Sequence, residues 1–177
     1  MCIRDSLSDS SWDGYTEMAH GVMQGYLQMG AEAVEQMPKV PTHVFLQAGV
    51  GGLAGAMAAM IRKKWGDTPR IVVVEPEFAP ALIDSIRAGK PVVTEGPVSE
   101  MGRLDCKEPS LVALKGLARD ADYFVTITEE QAACGVSIVA DSGLETSSSG
   151  GAGMAAALIA PPELLSLIHI SEPTRPY

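Results

Sequence analysis

Residues 42–55 read THVFLQAGVGGLAG, an apolar run followed by a glycine-rich segment and then by an Ala/Met-rich run at helical spacing. The pattern predicts a buried strand, a glycine loop and a helix, in that order. Such an arrangement favours an anion site, because the first N–H groups of a helix have no intrahelical partner and its dipole is positive there. The alternative is a tight turn without a ligand, although three glycines within residues 49–52 exceed what a turn needs.

The flanking sequence predicts two more strands and the helices that cover them. Arg70–Pro76 and Tyr123–Ile127 are the predicted strands, and the continuous β-branched run of the first is typical of a parallel sheet covered on both faces. Helices are predicted at 16–37, from the glycine loop to 65, at 79–88, at 110–121, at 128–139 with Thr128 and Gln131 as a capping box, and after the Ser/Gly run 147–153. We therefore predict an α/β fold with a mostly parallel sheet and helices on both faces.

Composition and charge exclude several classes of function. The net charge of −9 argues against a nucleic-acid partner, whose phosphates need a basic face. No apolar run is long enough to span a membrane, so we expect no membrane partner. After the first six residues the cysteines are Cys106 and Cys134, without the spacing of a zinc or redox site, which predicts a reduced, cytoplasmic setting and no metal.

Both ends of the chain resemble translated sequencing-adapter DNA. Residues 1–6 resemble a transposase end sequence, and residues 165–177 resemble its reverse complement followed by adapter. The ends fit opposite readings of one DNA segment, although a short disordered tail at each end is the alternative. We expect residues 1–6 and 165–177 to be adapter-like artefacts, and residues 7–164 to be an internal fragment of a longer protein.

Three loops are candidates for function, because polar residues and glycines gather in them. Ser8–Tyr15 contains Asp9 and fits either a functional loop or a helix N-cap. Residues 92–108 form a connection of unusual length for a compact domain. The run Ser147–Gly153 fits either a second site loop or a linker that leads into a packed helix.

The glycine loop also permits a dinucleotide site. Gly49, Gly51 and Gly55 follow a strand and open a helix, and Glu75 ends the next strand, where an acid would bind a ribose hydroxyl. The spacing departs by one residue from the usual pattern. An NAD(P)-dependent oxidoreductase is therefore a rival interpretation.

Six short motifs carry a resemblance to a known family. They are WDGYT at 12–16, MQGY at 23–26, EAVEQM at 32–37, PTHVFLQAGVG at 41–51, VEP at 74–76 and CKEPS at 106–110. In this order they resemble the diaminopropionate ammonia-lyases, pyridoxal-phosphate enzymes of fold type II that are similar to threonine dehydratase and the tryptophan synthase β-chain. The resemblance extends over residues 7–164.

The resemblance implies an enzyme that converts 2,3-diaminopropionate to pyruvate and ammonia by α,β-elimination with pyridoxal 5'-phosphate. Gly49, Val50, Gly51, Gly52 and Leu53 would cradle the cofactor phosphate. Asp9 aligns with a carboxylate that acts as a base on one substrate enantiomer or orients its amine. Glu75 and the loop 147–150 would face the cofactor side of the sheet. A small amino-acid substrate, a homodimer and a cytoplasmic location are further implications, and a threonine/serine dehydratase-like enzyme is the related alternative.

Two departures from the family pattern limit what this chain is expected to do. The Schiff-base lysine of the family lies upstream of the residues present, and no lysine here matches its motif. Gly102-Arg103-Leu104-Asp105 replaces a run that is more apolar in the family, which leaves the substrate open.

We predict that the 177-residue chain alone does not release pyruvate from 2,3-diaminopropionate, because the lysine that would hold the cofactor is missing. A coupled lactate dehydrogenase assay measures this directly. Pyruvate formation by the purified chain above the cofactor-only background would contradict the prediction.

Overall fold

The computed structural model describes residues 8–162, so the predicted adapter-like segments 1–6 and 165–177 lie outside the described part. The elements in chain order are α1 (Glu17–Gln36), β1 (His43–Gln47), α2 (Gly52–Trp65), β2 (Arg70–Pro76), α3 (Ala81–Ala88), α4 (Leu111–Asp120), β3 (Tyr123–Ile127), α5 (Glu129–Asp141) and α6 (Ser148–Ile159). The order confirms the predicted alternation of strands and helices.

A parallel sheet of three strands, in the order β1-β2-β3, forms the centre of the described residues. In the central strand Ile71, Val72, Val73 and Val74 are all fully buried, as expected for a sheet that is covered on both faces. Side chains alternate between two cores along each strand. The predicted α/β fold with helices on both faces is confirmed.

Each face of the sheet carries its own helices. On one face Ile71 and Val73 belong to a core that includes residues of α2, α3 and α4. On the other face Val74 belongs to a core that includes the alanines of α5 and α6. Helix α1 packs outside α2, so it forms an additional layer on the first face.

The capping box predicted at the start of α5 is present. The Gln131 N–H donates to Thr128 Oγ1 at 3.2 Å, and the Thr128 N–H donates to Gln131 Oε1 at 2.8 Å. Two of the free N–H groups at this helix start are therefore satisfied by side chains.

Helix α6 begins earlier than the sequence predicts, so its glycines lie inside the helix instead of before it. Close packing explains their presence there. A Cβ added at Gly153 would lie 3.0 Å from Phe45 O and 2.9 Å from Gln47 Oε1. Small residues thus let α6 lie directly on β1, although they cost helix propensity.

The far end of the sheet, opposite the glycine loop, is closed by Arg62 and Asp122. Arg62 Nη2 lies 2.6 Å from Asp122 Oδ2, which also accepts from the Ile71 N–H at 2.7 Å. The same guanidinium donates to Pro69 O and Asp120 O. The end of α2 is thereby fastened to the starts of β2 and β3 by charge-assisted hydrogen bonds.

None of the helices in residues 8–162 has the length and apolar character needed to cross a bilayer.

We predict that Gly135→Ala destabilises the fold by about 1–3 kcal/mol, because its Cβ would lie 2.5 Å from Ala155 Cβ in the α5–α6 contact. The matched control is Gly25→Ala in α1, where no atom lies within 4 Å, and it should stabilise by up to about 1 kcal/mol. Thermal unfolding followed by circular dichroism measures both changes. Equal melting temperatures for the two variants would contradict the assigned packing.

Candidate functional site

A cavity of about 360 Å³ opens at the carboxyl end of β1, where the glycine loop begins. It brings together Asp9 and all five residues of the predicted phosphate cradle. The lining residues are Asp9, Tyr26, Gln47, Ala48, Gly49, Val50, Gly51, Gly52, Leu53, Ala54, Arg103, Leu104, Cys106, Ser147, Ser149 and Gly150. The three loops singled out in the sequence therefore meet at one place, although they are far apart along the chain.

The glycine loop leaves backbone donors free at the start of α2. Among the described residues none accepts from the N–H groups of Gly52, Leu53 or Ala54, and no side chain caps the helix. The first turn also contains no acidic side chain. Free donors, the positive end of the helix dipole and an adjoining cavity together form an anion-binding arrangement.

Gly51 and Gly49 are required for different reasons. Gly51 caps α2 with a φ of +96°, a left-handed conformation that strains any residue with a Cβ. At Gly49 an added Cβ would lie 2.9 Å from Cys106 Sγ and 3.0 Å from Arg103 O. Gly51 thus sets the direction of the helix, and Gly49 lets the loop around residues 103–106 lie close to the end of the strand.

Gly55 and Glu75, two of the residues proposed for a dinucleotide, are not among those that line the cavity. A Cβ at Gly55 would lie 3.1 Å from Met23 Cε, so this glycine serves the packing of α1 on α2. Glu75 is fully buried, and its two oxygens accept from the N–H groups of Leu82 and Ile83 at 2.7 and 2.8 Å. Glu75 therefore caps α3, and its expected place on the cofactor side is wrong.

The Asp9 loop is ordered by its own aromatic pair. Trp12 and Tyr15 stack with ring centroids 4.3 Å apart and exchange two backbone hydrogen bonds. Helix α1 begins after Thr16 without a side-chain cap, so the N-cap alternative for Asp9 is wrong. The Asp9 side chain has no hydrogen-bond or ion-pair partner among residues 8–162, while Asp9 O would lie 3.8 Å from a Cβ at Gly52. The backbone of Asp9 therefore lies beside the start of α2, and its side chain is exposed.

The opposite wall comes from the start of α6. Ser147 Oγ accepts from the Gly150 N–H at 3.1 Å and so caps this helix. Ser149 Oγ accepts from the Arg103 N–H at 3.2 Å, which ties the helix to the long irregular segment. The serine-rich run is therefore part of the cavity wall, as the site-loop interpretation predicted, and not a linker.

Lys107 orders the long irregular segment between α3 and α4. Its Nζ donates to Phe78 O at 2.6 Å, to Pro97 O at 2.9 Å and to Asp105 Oδ1 at 2.7 Å. An ammonium held by three oxygens is neither free nor directed into the cavity. No lysine is among the residues that line the cavity in the described part of the chain.

The sequence analysis did not single out several cavity residues as site residues, among them Gln47 and the half-buried thiol of Cys106. Burial raises the pKa of the Cys106 thiol, the Val50 N–H lowers it, and the negative charges of Asp9 and Asp105 raise it further. The thiol form is thereby favoured. The unusual length of the segment that contains Arg103 and Cys106 was the sequence signal that could have identified them as cavity residues. For Gln47 the only signal was its position at the end of a strand.

Within residues 8–162, no group of three or more His, Cys, Asp or Glu side chains is arranged to hold a metal ion.

The chain matches a described protein family over most of its length. The profile of the family described as "Pyridoxal-phosphate dependent enzyme" matches residues 8–166. The diaminopropionate ammonia-lyase of Salmonella typhimurium is 35% identical over 142 residues, which cover 76% of this chain and 35% of that relative. The chain therefore spans about a third of the length of this curated relative.

Comparison with solved structures also finds pyridoxal-phosphate enzymes that share this fold. The crystal structure of the Escherichia coli diaminopropionate ammonia lyase, in complex with an aminoacrylate-PLP azomethine reaction intermediate, matches with a TM-score of 0.78 and 30% identity. The match covers 86% of this chain and 41% of that chain. A threonine deaminase from T.th. matches with a TM-score of 0.74 at 23% identity, covering 78% of this chain and 52% of that chain, and shows a shared fold.

We predict that Glu75 makes stability depend on pH. Burial raises the pKa of Glu75 from 4.5 to about 7, against the lowering effect of the Leu82 and Ile83 N–H donors, and Asp84 raises it slightly. The pKa of Glu75 is higher in the folded protein than in the unfolded chain. The contribution of Glu75 to the free energy of unfolding is therefore complete below about pH 4.5 and is lost as the pH rises through 7. The free energy of unfolding should fall by about 3 kcal/mol across that range.

Urea unfolding between pH 4.5 and 8 measures the effect. Glu75→Gln should remove this part of the slope, because an amide does not titrate. Glu77→Gln, at an exposed position two residues on, is the matched control and should keep the parent's slope. An identical slope in the parent and in Glu75→Gln would show that Glu75 keeps an ordinary pKa.

Proposed function

Because the chain belongs to the family of pyridoxal-phosphate dependent enzymes, we propose that it carries the phosphate-binding part of a lyase acting on 2,3-diaminopropionate. The reaction is an α,β-elimination that yields pyruvate and ammonia. In this proposal residues 7–164 are the part of the catalytic fold present here, and 1–6 and 165–177 are the adapter-like segments. The observation that carries the proposal is the free N–H groups at the start of α2, in one cavity with Asp9.

The relatives support this substrate over its alternatives. The curated relative at 35% identity and the solved structure at 30% identity are both diaminopropionate ammonia-lyases. The likeness to threonine deaminase extends to the fold alone at 23% identity. Family membership and the capping role of Glu75 leave the NAD(P)-dependent alternative without support.

The residues of the glycine loop fit the phosphate of the cofactor. Gly49, Val50, Gly51, Gly52 and Leu53 line the cavity, and the N–H groups of the last two have no acceptor within residues 8–162. A phosphate dianion placed there would accept from these donors and would be favoured by the helix dipole. When bound, pyridoxal phosphate supplies an electron sink for the negative charge left at Cα.

Asp9 is the group in the described cavity that is suited to move a proton. Its carboxylate has no partner among residues 8–162, so it is free to accept a proton from Cα or to hold the substrate amine. The backbone carbonyl of Asp9 lies beside Gly52, which supports a role for this residue next to the proposed phosphate site. Asp9 therefore acts on the substrate while the glycine loop holds the cofactor.

We also propose that the protein acts as a homodimer in the cytoplasm. Both proposals rest on the resemblance to the family.

The stoichiometry of ammonia separates the two candidate substrates. Elimination from 2,3-diaminopropionate followed by hydrolysis releases two ammonia molecules per pyruvate, whereas serine releases one. The experiment is carried out on the uninterrupted enzyme with each amino acid in turn. Turnover of serine or threonine without turnover of 2,3-diaminopropionate would make the enzyme a dehydratase.

We predict that Gly51→Val in the uninterrupted enzyme abolishes cofactor retention. The side chain would strain a residue with a φ of +96° and would displace the start of α2, whose N–H groups hold the phosphate. Absorbance of the bound cofactor in the visible range after gel filtration measures retention. The control is Gly143→Val, where φ is +80° and no atom lies within 4 Å, and it should keep the cofactor band. A normal band in a folded Gly51→Val protein would contradict the phosphate assignment.

A further inference from the structure

Two buried serines join the Asp9 loop to the rest of the site across the chain. Ser11 is 2% exposed and Ser110 is fully buried. Their hydroxyl oxygens lie 2.8 Å apart, and the Ser11 N–H donates to Ser110 Oγ at 3.1 Å. A hydroxyl pair in this environment is tied to one geometry, because breaking it would leave buried polar groups without partners.

Ser11 also caps a helix to which it does not belong. Ser110 is the N-cap of α4, yet its own side chain makes no capping bond. The Leu111 N–H donates instead to Ser11 O at 3.0 Å, and the Val112 N–H donates to Ser11 Oγ at 2.8 Å. The first two N–H groups of α4 are thus satisfied by the loop that carries Asp9.

Ser110 continues the connection to the phosphate-binding loop. Its N–H donates to Val50 O at 3.0 Å. A continuous series of hydrogen bonds therefore runs from the backbone two residues after Asp9, through Ser110, to the residue between Gly49 and Gly51. Val50, at one end of this series, lines the cavity, and so does Asp9, two residues before the other end.

We propose that Ser11 and Ser110 are positioning residues that fix the Asp9 carboxylate relative to the bound cofactor. The inference rests on the proposed function, because it presupposes that Asp9 acts on the substrate. Asp9 itself has no partner within residues 8–162 that fixes its position, so its placement depends on the anchored backbone of its loop. A displacement of about 1 Å at a reacting group is enough to slow catalysis by about a hundredfold.

The test compares turnover of the two enantiomers of 2,3-diaminopropionate by the cofactor-loaded enzyme. Asp9→Asn identifies the enantiomer for which Asp9 is needed. Ser11→Ala is expected to lower kcat for that enantiomer by about tenfold or more, with KM, the cofactor band and turnover of the other enantiomer close to the parent values. The double variant should be no slower than Asp9→Asn, because Ser11 acts through Asp9.

Two further variants complete the experiment. Ser10→Ala is the matched control, since its hydroxyl makes no hydrogen bond within residues 8–162, and it should retain the parent kinetics. If Ser11→Ala does not fold, Ser110→Ala replaces it, because that change removes the hydroxyl pair and leaves Ser11 to cap α4. It should show the same enantiomer-dependent loss.

The outcomes separate this inference from the proposed function. Asp9→Asn with parent rates on both enantiomers overturns the proposed role of Asp9 and, with it, the positioning role of the serines. A loss in Asp9→Asn combined with equal losses on both enantiomers in the serine variants overturns the positioning role alone. A double variant whose loss is the product of the single losses overturns it as well.

Discussion

The left-handed turn at Gly51 is the constraint on which the rest of the site depends. It lets the chain leave β1 and enter α2 within a few residues, with the first N–H groups of the helix still unpaired. Those donors favour an anion, provided that the walls around them supply no competing acceptor. The neighbouring loops supply these walls while leaving the donors free.

The walls consist of irregular backbone that is held by side chains. Lys107 gathers three oxygens of the segment between α3 and α4 and of the turn after β2. Ser149 fixes the same segment from α6, and Ser110 connects it to the glycine loop. Rigid elements thus set the position of the cavity, and a small number of polar contacts set its shape.

The spacing of apolar residues and the positions of glycine and proline predicted the fold well. The clearest signal was the continuous run of β-branched residues in Arg70–Pro76, which is typical of a buried strand in a parallel sheet. The glycine loop was predictable for a similar reason, since Gly51 occupies a conformation that few other residues tolerate. Glu75 was misjudged, because an acid at a strand end has the same appearance whether it faces a ligand or caps the next helix. The partners of Ser11 were beyond prediction, because only the tertiary fold brings residues 11 and 110 together.

The cap that Ser11 supplies to α4 has a consequence for how the chain acquires its structure. A helix capped from within can form early, whereas the first turn of α4 must await a segment about a hundred positions away. Contacts of such high sequence separation slow folding, because the entropy of loop closure is lost before the contact forms. We therefore expect docking of the Asp9 loop to complete the candidate cavity in the same event that completes α4, so that a chain without this contact lacks one wall of the cavity.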